Sequence, residues 1–107
     1  MNNNNSFEYL QAQIEAAEKK GEPVDGYVKQ QINLLKASHE EFVKTAQEHG
    51  YELNNQKLGE IEVRQYSAMK QLAQKIGLPV EEYDSLIKEV RIRIFGEENY
   101  TRFFEEQ

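Results

Sequence analysis

Hydrophobic residues recur at a helical period along most of this chain. After Ser6, apolar residues stand at positions 7, 10, 14 and 17, a spacing that places them on one face of a helix. Ser6 is a residue type that caps helix starts, and two lysines followed by Gly21 are typical of a helix end. The pattern predicts a first helix over residues 7–20. We expect the asparagine-rich residues 1–6 to form a disordered tail.

A longer helical pattern follows, over residues 24–49. Its apolar face alternates steps of four and three residues, which is the heptad pattern of helices that pack along a seam. Such a helix would be about 39 Å long, whereas a compact domain of this size has a radius of gyration near ~13 Å. We therefore expect an elongated molecule, with self-association as a symmetric dimer through the seam residues Val28, Ile32, Leu35, His39 and Phe42.

Two more helices are predicted in the second half of the chain. The hydrophobic residues of 51–59 show no clear helical period. Short strands are an alternative there, but we expect a loop. Apolar residues from Ile61 to Ile76 indicate a third helix that ends at Gly77, and residues 80–94 indicate a fourth that ends at Gly96. The sequence thus predicts an all-α, elongated bundle of four longer helices with a short C-terminal helix.

The third and fourth helices resemble the helix-turn-helix of DNA-binding proteins such as phage repressors. The resemblance lies in small and apolar residues around the turn, namely Leu72, Ala73, Ile76, Gly77, Leu78, Tyr83 and Leu86. In that motif the start of the second helix meets the DNA, and here it carries Glu81, Glu82 and Asp84. Because carboxylates repel phosphates, we do not expect nucleic-acid binding, and a DNA-binding regulator is the alternative function.

Length and composition set broad limits. The chain has 107 residues, 13 basic and 19 acidic, for a net charge of −6, and it has no cysteine. This length suits one domain, which we place over residues 7–107. The sequence has no signal peptide pattern and no apolar run long enough to cross a membrane, so we expect a cytoplasmic protein.

Catalytic and metal-binding patterns are missing from the sequence. Metal sites in helical bundles usually carry Glu-x-x-His on facing helices, so we interpret His39 and His49 as packed or hydrogen-bonded at a helix contact. Neighbouring acidic residues point about 100° apart on a helix and cannot share a proton as catalytic dyads do. We expect no enzyme activity, no catalytic residue, no metal and no cofactor.

The C-terminal segment carries the strongest sign of partner binding. Tyr100, Phe103 and Phe104 have the i, i+3, i+4 spacing of an amphipathic helix. Such residues complete the core of a small domain more often than they dock a partner, so we expect most of this surface to be core. Residues 95–106 resemble the endings of small helical assembly proteins of tailed phages. The function we expect is protein recognition, as an adaptor, an inhibitor or an assembly factor.

Overall fold

The computed structural model describes residues 6–50, 52 and 55–105. The predicted all-α fold is confirmed, and within the described residues no helix is long and apolar enough to cross a membrane. Of the expected tail at residues 1–6, residues 1–5 lie outside the described residues, as do Tyr51 and Leu53. The helices are α1 (Phe7–Lys20), α2 (Asp25–Glu48), α3 (Gln56–Lys75), α4 (Glu81–Phe95) and α5 (Glu97–Tyr100), which continues as a π-helical turn (Thr101–Glu105).

Side-chain caps fix two helix starts. The Ser6 hydroxyl accepts a hydrogen bond from the backbone of Tyr9 at 3.1 Å, as its residue type predicted. The Asn55 side chain accepts one from the backbone of Lys57 at 2.9 Å. Because Asn55 caps α3, that helix begins at Gln56. The expected loop over residues 51–59 is therefore wrong for residues 56–59.

The predicted hairpin of α3 and α4 is confirmed. Gly77 adopts a left-handed conformation (φ 74°), and the Leu78 amide donates to the Ala73 carbonyl at 2.9 Å, which closes the end of α3. At the other end of the hairpin the two helices approach closely, because Gly59 has no side chain. A Cβ atom at this position would lie 2.7 Å from Cγ1 of Ile94.

The helices form a thin layer. Close backbone contacts join only consecutive helices among the described residues. The backbone measures 49 × 36 × 16 Å, with a radius of gyration of 16.4 Å against ~13 Å for a compact chain of this length, so the predicted elongation is confirmed. The core lies where four helices meet, around Ile14, Val28, Ile32, Met69, Ala73 and Tyr83.

Candidate protein-interaction surface

An aromatic cluster forms where the chain turns back after α4. Gly96 (φ 84°) ends α4, and α5 with its π-helical turn then packs beside it. Phe104 is the centre of the cluster: its ring centroid lies 5.3 Å from that of Tyr100, 5.9 Å from Phe95 and 6.5 Å from Phe103. We call Phe95, Tyr100, Phe103 and Phe104 the aromatic cluster. Its rings lie within the range at which aromatic pairs attract one another.

The aromatic cluster lies at the surface. Phe103 is 46% exposed and Phe104 39% exposed, while Tyr100 is half-buried. The expectation that these aromatics complete the core is therefore wrong for Phe103 and Phe104. The physical reason is that the turn at Gly96 lays them along one side of α4, where no further helix of the described chain covers them.

Cationic side chains surround the aromatic cluster. The Arg91 guanidinium carbon lies 4.5 Å from the ring centroid of Phe104, and the Lys88 ammonium lies 5.5 Å from that of Tyr100, both within reach of a cation–π attraction. Lys88 also pairs with Glu105 at 3.4 Å. Both side chains of α4 are thus directed toward the C-terminal segment.

A shallow groove of about 260 Å³ opens between α3 and α4 beside the aromatic cluster. Arg64 and Arg91 stand on its two sides, and neither forms an ion pair with any residue in the described part of the chain. We call this the α3–α4 groove. It is lined by Glu60, Val63, Arg64, Arg91, Ile94, Phe95 and Phe104.

Sequence reasoning missed the members of this surface that lie on α4. Arg91, Ile94 and Phe95 follow an i, i+3, i+4 spacing, the same signal that selected the C-terminal aromatics. Residues with this spacing share one face of a helix. That face could have been read together with the aromatic segment that follows it.

Comparison with known proteins assigns no family to this chain. No protein-family model, curated protein or solved structure matches it. The likeness to helix-turn-helix proteins and to phage assembly proteins therefore rests on the quoted residues alone. The geometry of the surface has to carry any functional conclusion.

Much of the heptad seam of α2 packs against other helices of the same chain. Val28 is fully buried and Ile32 is 4% exposed, both in the core, and Leu35 packs against them. His39 hydrogen-bonds to α3, and Phe42 is half-buried at the edge of an open groove. Self-association stays a prediction, with Phe42 the seam residue that lines an open surface.

A partly buried polar network joins α2, α3 and α4. His39 Nδ1 donates to the amide oxygen of Gln65 at 2.6 Å, and His39 Nε2 accepts from the Tyr66 hydroxyl at 2.9 Å. Glu62, only 3% exposed, accepts from Arg93, and one of its carboxylate oxygens lies 3.9 Å from His39 Nε2. The predicted role of His39, hydrogen-bonded at a helix contact, is confirmed.

The environment of Tyr66 changes its acidity. Burial raises the pKa of the Tyr66 phenol above its usual value of 10.0, and the neighbouring Glu62 carboxylate acts in the same direction. Both effects disfavour the phenolate. The network therefore holds Tyr66 as a neutral hydrogen-bond donor, which is a structural role.

The start of α4 exposes the acidic residues that the sequence placed there. Glu81, Glu82 and Asp84 are all exposed, and Asp84 pairs with Lys70 of α3 at 2.6 Å.

Among the described residues, no group of three or more histidine, aspartate or glutamate side chains is arranged to hold a metal ion. His49 is exposed, and its ring hydrogen-bonds to the Thr45 carbonyl at 2.9 Å.

Proposed function

We propose that this protein is a non-catalytic protein-recognition module, acting as an adaptor, an inhibitor or an assembly factor. Its partner would bind to the aromatic cluster and the neighbouring α3–α4 groove. The observation that carries the proposal is the exposure of Phe103 and Phe104 next to two arginines without ion-pair partners in the described chain. Aromatic residues and arginine are the types most enriched at the energetic centres of protein interfaces.

The exposed aromatic area is large enough to contribute to binding. A phenylalanine buries roughly 200 Å² when it is fully covered, and apolar area is worth about 25 cal/mol per Å². Covering the exposed parts of Phe103 and Phe104 would therefore contribute roughly 2 kcal/mol each. Two such contacts account for close to a thousandfold in affinity.

The charges at the groove indicate the chemistry of the partner segment. The chain as a whole is acidic, at −6, yet two arginines, Arg64 and Arg91, line the α3–α4 groove against one carboxylate, that of Glu60. A segment that places an apolar side chain in the groove and a carboxylate beside it would satisfy both arginines. A guanidinium group can donate two parallel hydrogen bonds to one carboxylate, and this bidentate geometry adds specificity.

Affinity capture from an extract of the native host tests this proposal. Immobilised wild-type protein is compared with the double variant Phe103→Ala/Phe104→Ala, and the retained proteins are identified by mass spectrometry. We expect the double variant to lose the retained partner, because it lacks the aromatic anchors. Phe7→Ala is the matched control, since Phe7 is 38% exposed on α1 and lies outside the surface.

The melting temperature of each variant is measured alongside the capture. A variant that loses the partner but melts like wild type has lost binding and not its fold. Arg91→Glu serves as a second variant, since it reverses one charge of the groove while keeping both phenylalanines. If the double variant and Arg91→Glu stay folded and retain the same proteins as wild type at the same yield, the surface is not the interaction site.

The alternative function is a helix-turn-helix regulator, which the α3–α4 hairpin favours. The exposed carboxylates of Glu81, Glu82 and Asp84 argue against it, because this turn would meet the DNA phosphates. Titration of fluorescent duplex DNA in ~150 mM salt distinguishes the two functions. We expect no measurable binding, whereas submicromolar affinity that falls steeply with added salt would favour the regulator.

A further inference from the structure

The C-terminal segment joins the rest of the protein through a single glycine. Gly96 stands between the end of α4 at Phe95 and the start of α5 at Glu97, with φ 84° and ψ 156°. This backbone conformation is essentially restricted to glycine. We call residues 97–105 the C-terminal strap. Among the described elements, its close backbone contacts outside itself are all with α4.

The C-terminal strap is attached to α4 by surface contacts. No residue of the strap is buried. Its anchors include ring contacts, cation–π contacts, one hydrogen bond and one ion pair, which are Phe103 and Phe104 on Phe95, Arg91 over Phe104, Lys88 with Tyr100, Asn99 on the Phe95 carbonyl, and Lys88 with Glu105. Contacts of these kinds at a surface are individually weak. The strap is therefore held less firmly than a helix with a buried face.

The C-terminal strap depends on α4 for its helical shape. It is shorter than the roughly 12 to 15 residues below which an isolated helix is marginal in water. Its second part, Thr101–Glu105, is a π-helical turn, which is a rare form. Release from α4 and loss of helix are thus one event, in which the anchors break together.

We propose that the C-terminal strap docks and undocks as one unit, hinged at Gly96, while helices α1 to α4 stay folded. Phe104 forms one wall of the α3–α4 groove, and the Arg91 guanidinium lies over its ring. Docking therefore completes the groove, and undocking opens it and uncovers Arg91. In a role that rests on the proposed recognition function, the strap closes on a partner that enters the groove.

Hydrogen exchange of the full chain, followed by NMR, measures undocking directly. The Tyr100 amide donates to the Gly96 carbonyl and the Thr101 amide to that of Glu97, so both exchange when the strap loses its helix. We expect the amides from Tyr100 to Glu105 to be protected less than roughly a hundredfold, all by similar factors. Amides in the middle of α4 should be protected at least about a thousandfold, because they exchange only when the whole protein unfolds.

Two variants should undock the strap while the middle of α4 stays protected. Gly96→Ala places a Cβ on a backbone conformation that alanine avoids, so it should remove most of the protection of the strap. Phe104→Ala removes the central ring of the aromatic cluster and should lower that protection roughly tenfold. In each variant, all amides of the strap should lose protection by the same factor.

Two matched controls separate undocking from a general loss of stability. Gly21→Ala introduces strain at another left-handed glycine, with φ 71°, at the end of α1. Arg102→Ala removes a cation that pairs with Glu98 inside the strap rather than with α4. Neither should change the protection of the strap by more than roughly twofold.

Two results would overturn the proposal. One is a strap that is protected as strongly as α4, because it would then unfold only with the whole protein. The other is protection that falls steadily from Tyr100 to Glu105, with each variant affecting only the amides nearest to it, because that is the fraying of a chain end. The experiment uses the protein alone, so its outcome does not depend on the recognition function.

Discussion

Replacing Gly59 by alanine tests the close approach of α3 and α4. The two helices meet where Gly59 is buried, and an added Cβ would overlap the side chain of Ile94, with Cγ1 at 2.7 Å and Cγ1 of Val90 at 3.5 Å. This contact sets the separation of the helices that carry the α3–α4 groove, because Ile94 also lines that groove.

Two opposing effects determine how much Gly59→Ala changes the free energy of unfolding. Alanine is favoured over glycine inside a helix by up to ~1 kcal/mol. Forcing an extra methyl group into a packed contact costs about 1 to 3 kcal/mol. The steric cost is the larger of the two, so Gly59→Ala should lower the free energy of unfolding by about 1 kcal/mol and the Tm by roughly 5 °C.

Gly26→Ala is the matched control, measured with Gly59→Ala by thermal and urea unfolding. Gly26 also lies in a helix, but a Cβ there meets no atom within 4 Å. Its replacement should raise stability by about 0.5 kcal/mol. The atom nearest the added Cβ is the Cδ1 methyl group of Ile94. Ile94→Val removes that methyl group, so the double variant Gly59→Ala/Ile94→Val should lose less stability than the two single losses together.

Equal stabilisation by Gly59→Ala and Gly26→Ala would refute the argument. It would mean that α3 and α4 do not approach closely at Gly59. The α3–α4 groove would then have a different width from the one described.

Two further predictions concern the partly buried polar network. Because the folded-state pKa of Tyr66 is above its unfolded value, its stabilisation is complete below pH 10.0 and is lost as the pH rises toward the folded-state pKa. In absorbance at the phenolate band, Tyr66→Phe should remove a late-titrating component that the wild type shows. Arg93→Met removes the arginine that pairs with the Glu62 carboxylate and should lower the free energy of unfolding, measured in urea, by on the order of 2 kcal/mol. The double variant Glu62→Met/Arg93→Met should recover most of this lost stability.

Helix positions could be predicted from the sequence because their signals are local. Ser6 and Gly21 mark the ends of α1, and Gly77 marks the end of α3, through their own backbone and side-chain preferences. The start of α3 was missed because Asn55 follows another asparagine, Asn54, and either residue could cap a helix. The burial of Gln31 and Glu62 was also missed, since their partners, Gln11 and Arg93, lie on other helices far along the chain.

The candidate site was predicted in composition but not in placement. Spacing selected Tyr100, Phe103 and Phe104, yet it could not tell core from surface, because that depends on the direction of the chain after Gly96. The seam of α2 posed the same problem. A heptad pattern shows that Val28 and Ile32 need a neighbouring helix, but not whether that helix belongs to the same chain.

The order in which the helices touch has a consequence for folding speed. Since close backbone contacts in the described chain join consecutive helices, most contacts span short stretches of sequence. Proteins of such low contact order fold in microseconds to milliseconds, because little loop entropy is lost before contacts form. Each helix can pack as soon as the next one has formed. A chain leaving the ribosome would thus form its helix pairs progressively, from α1 onward, and Tyr83 of α4 would complete the core last.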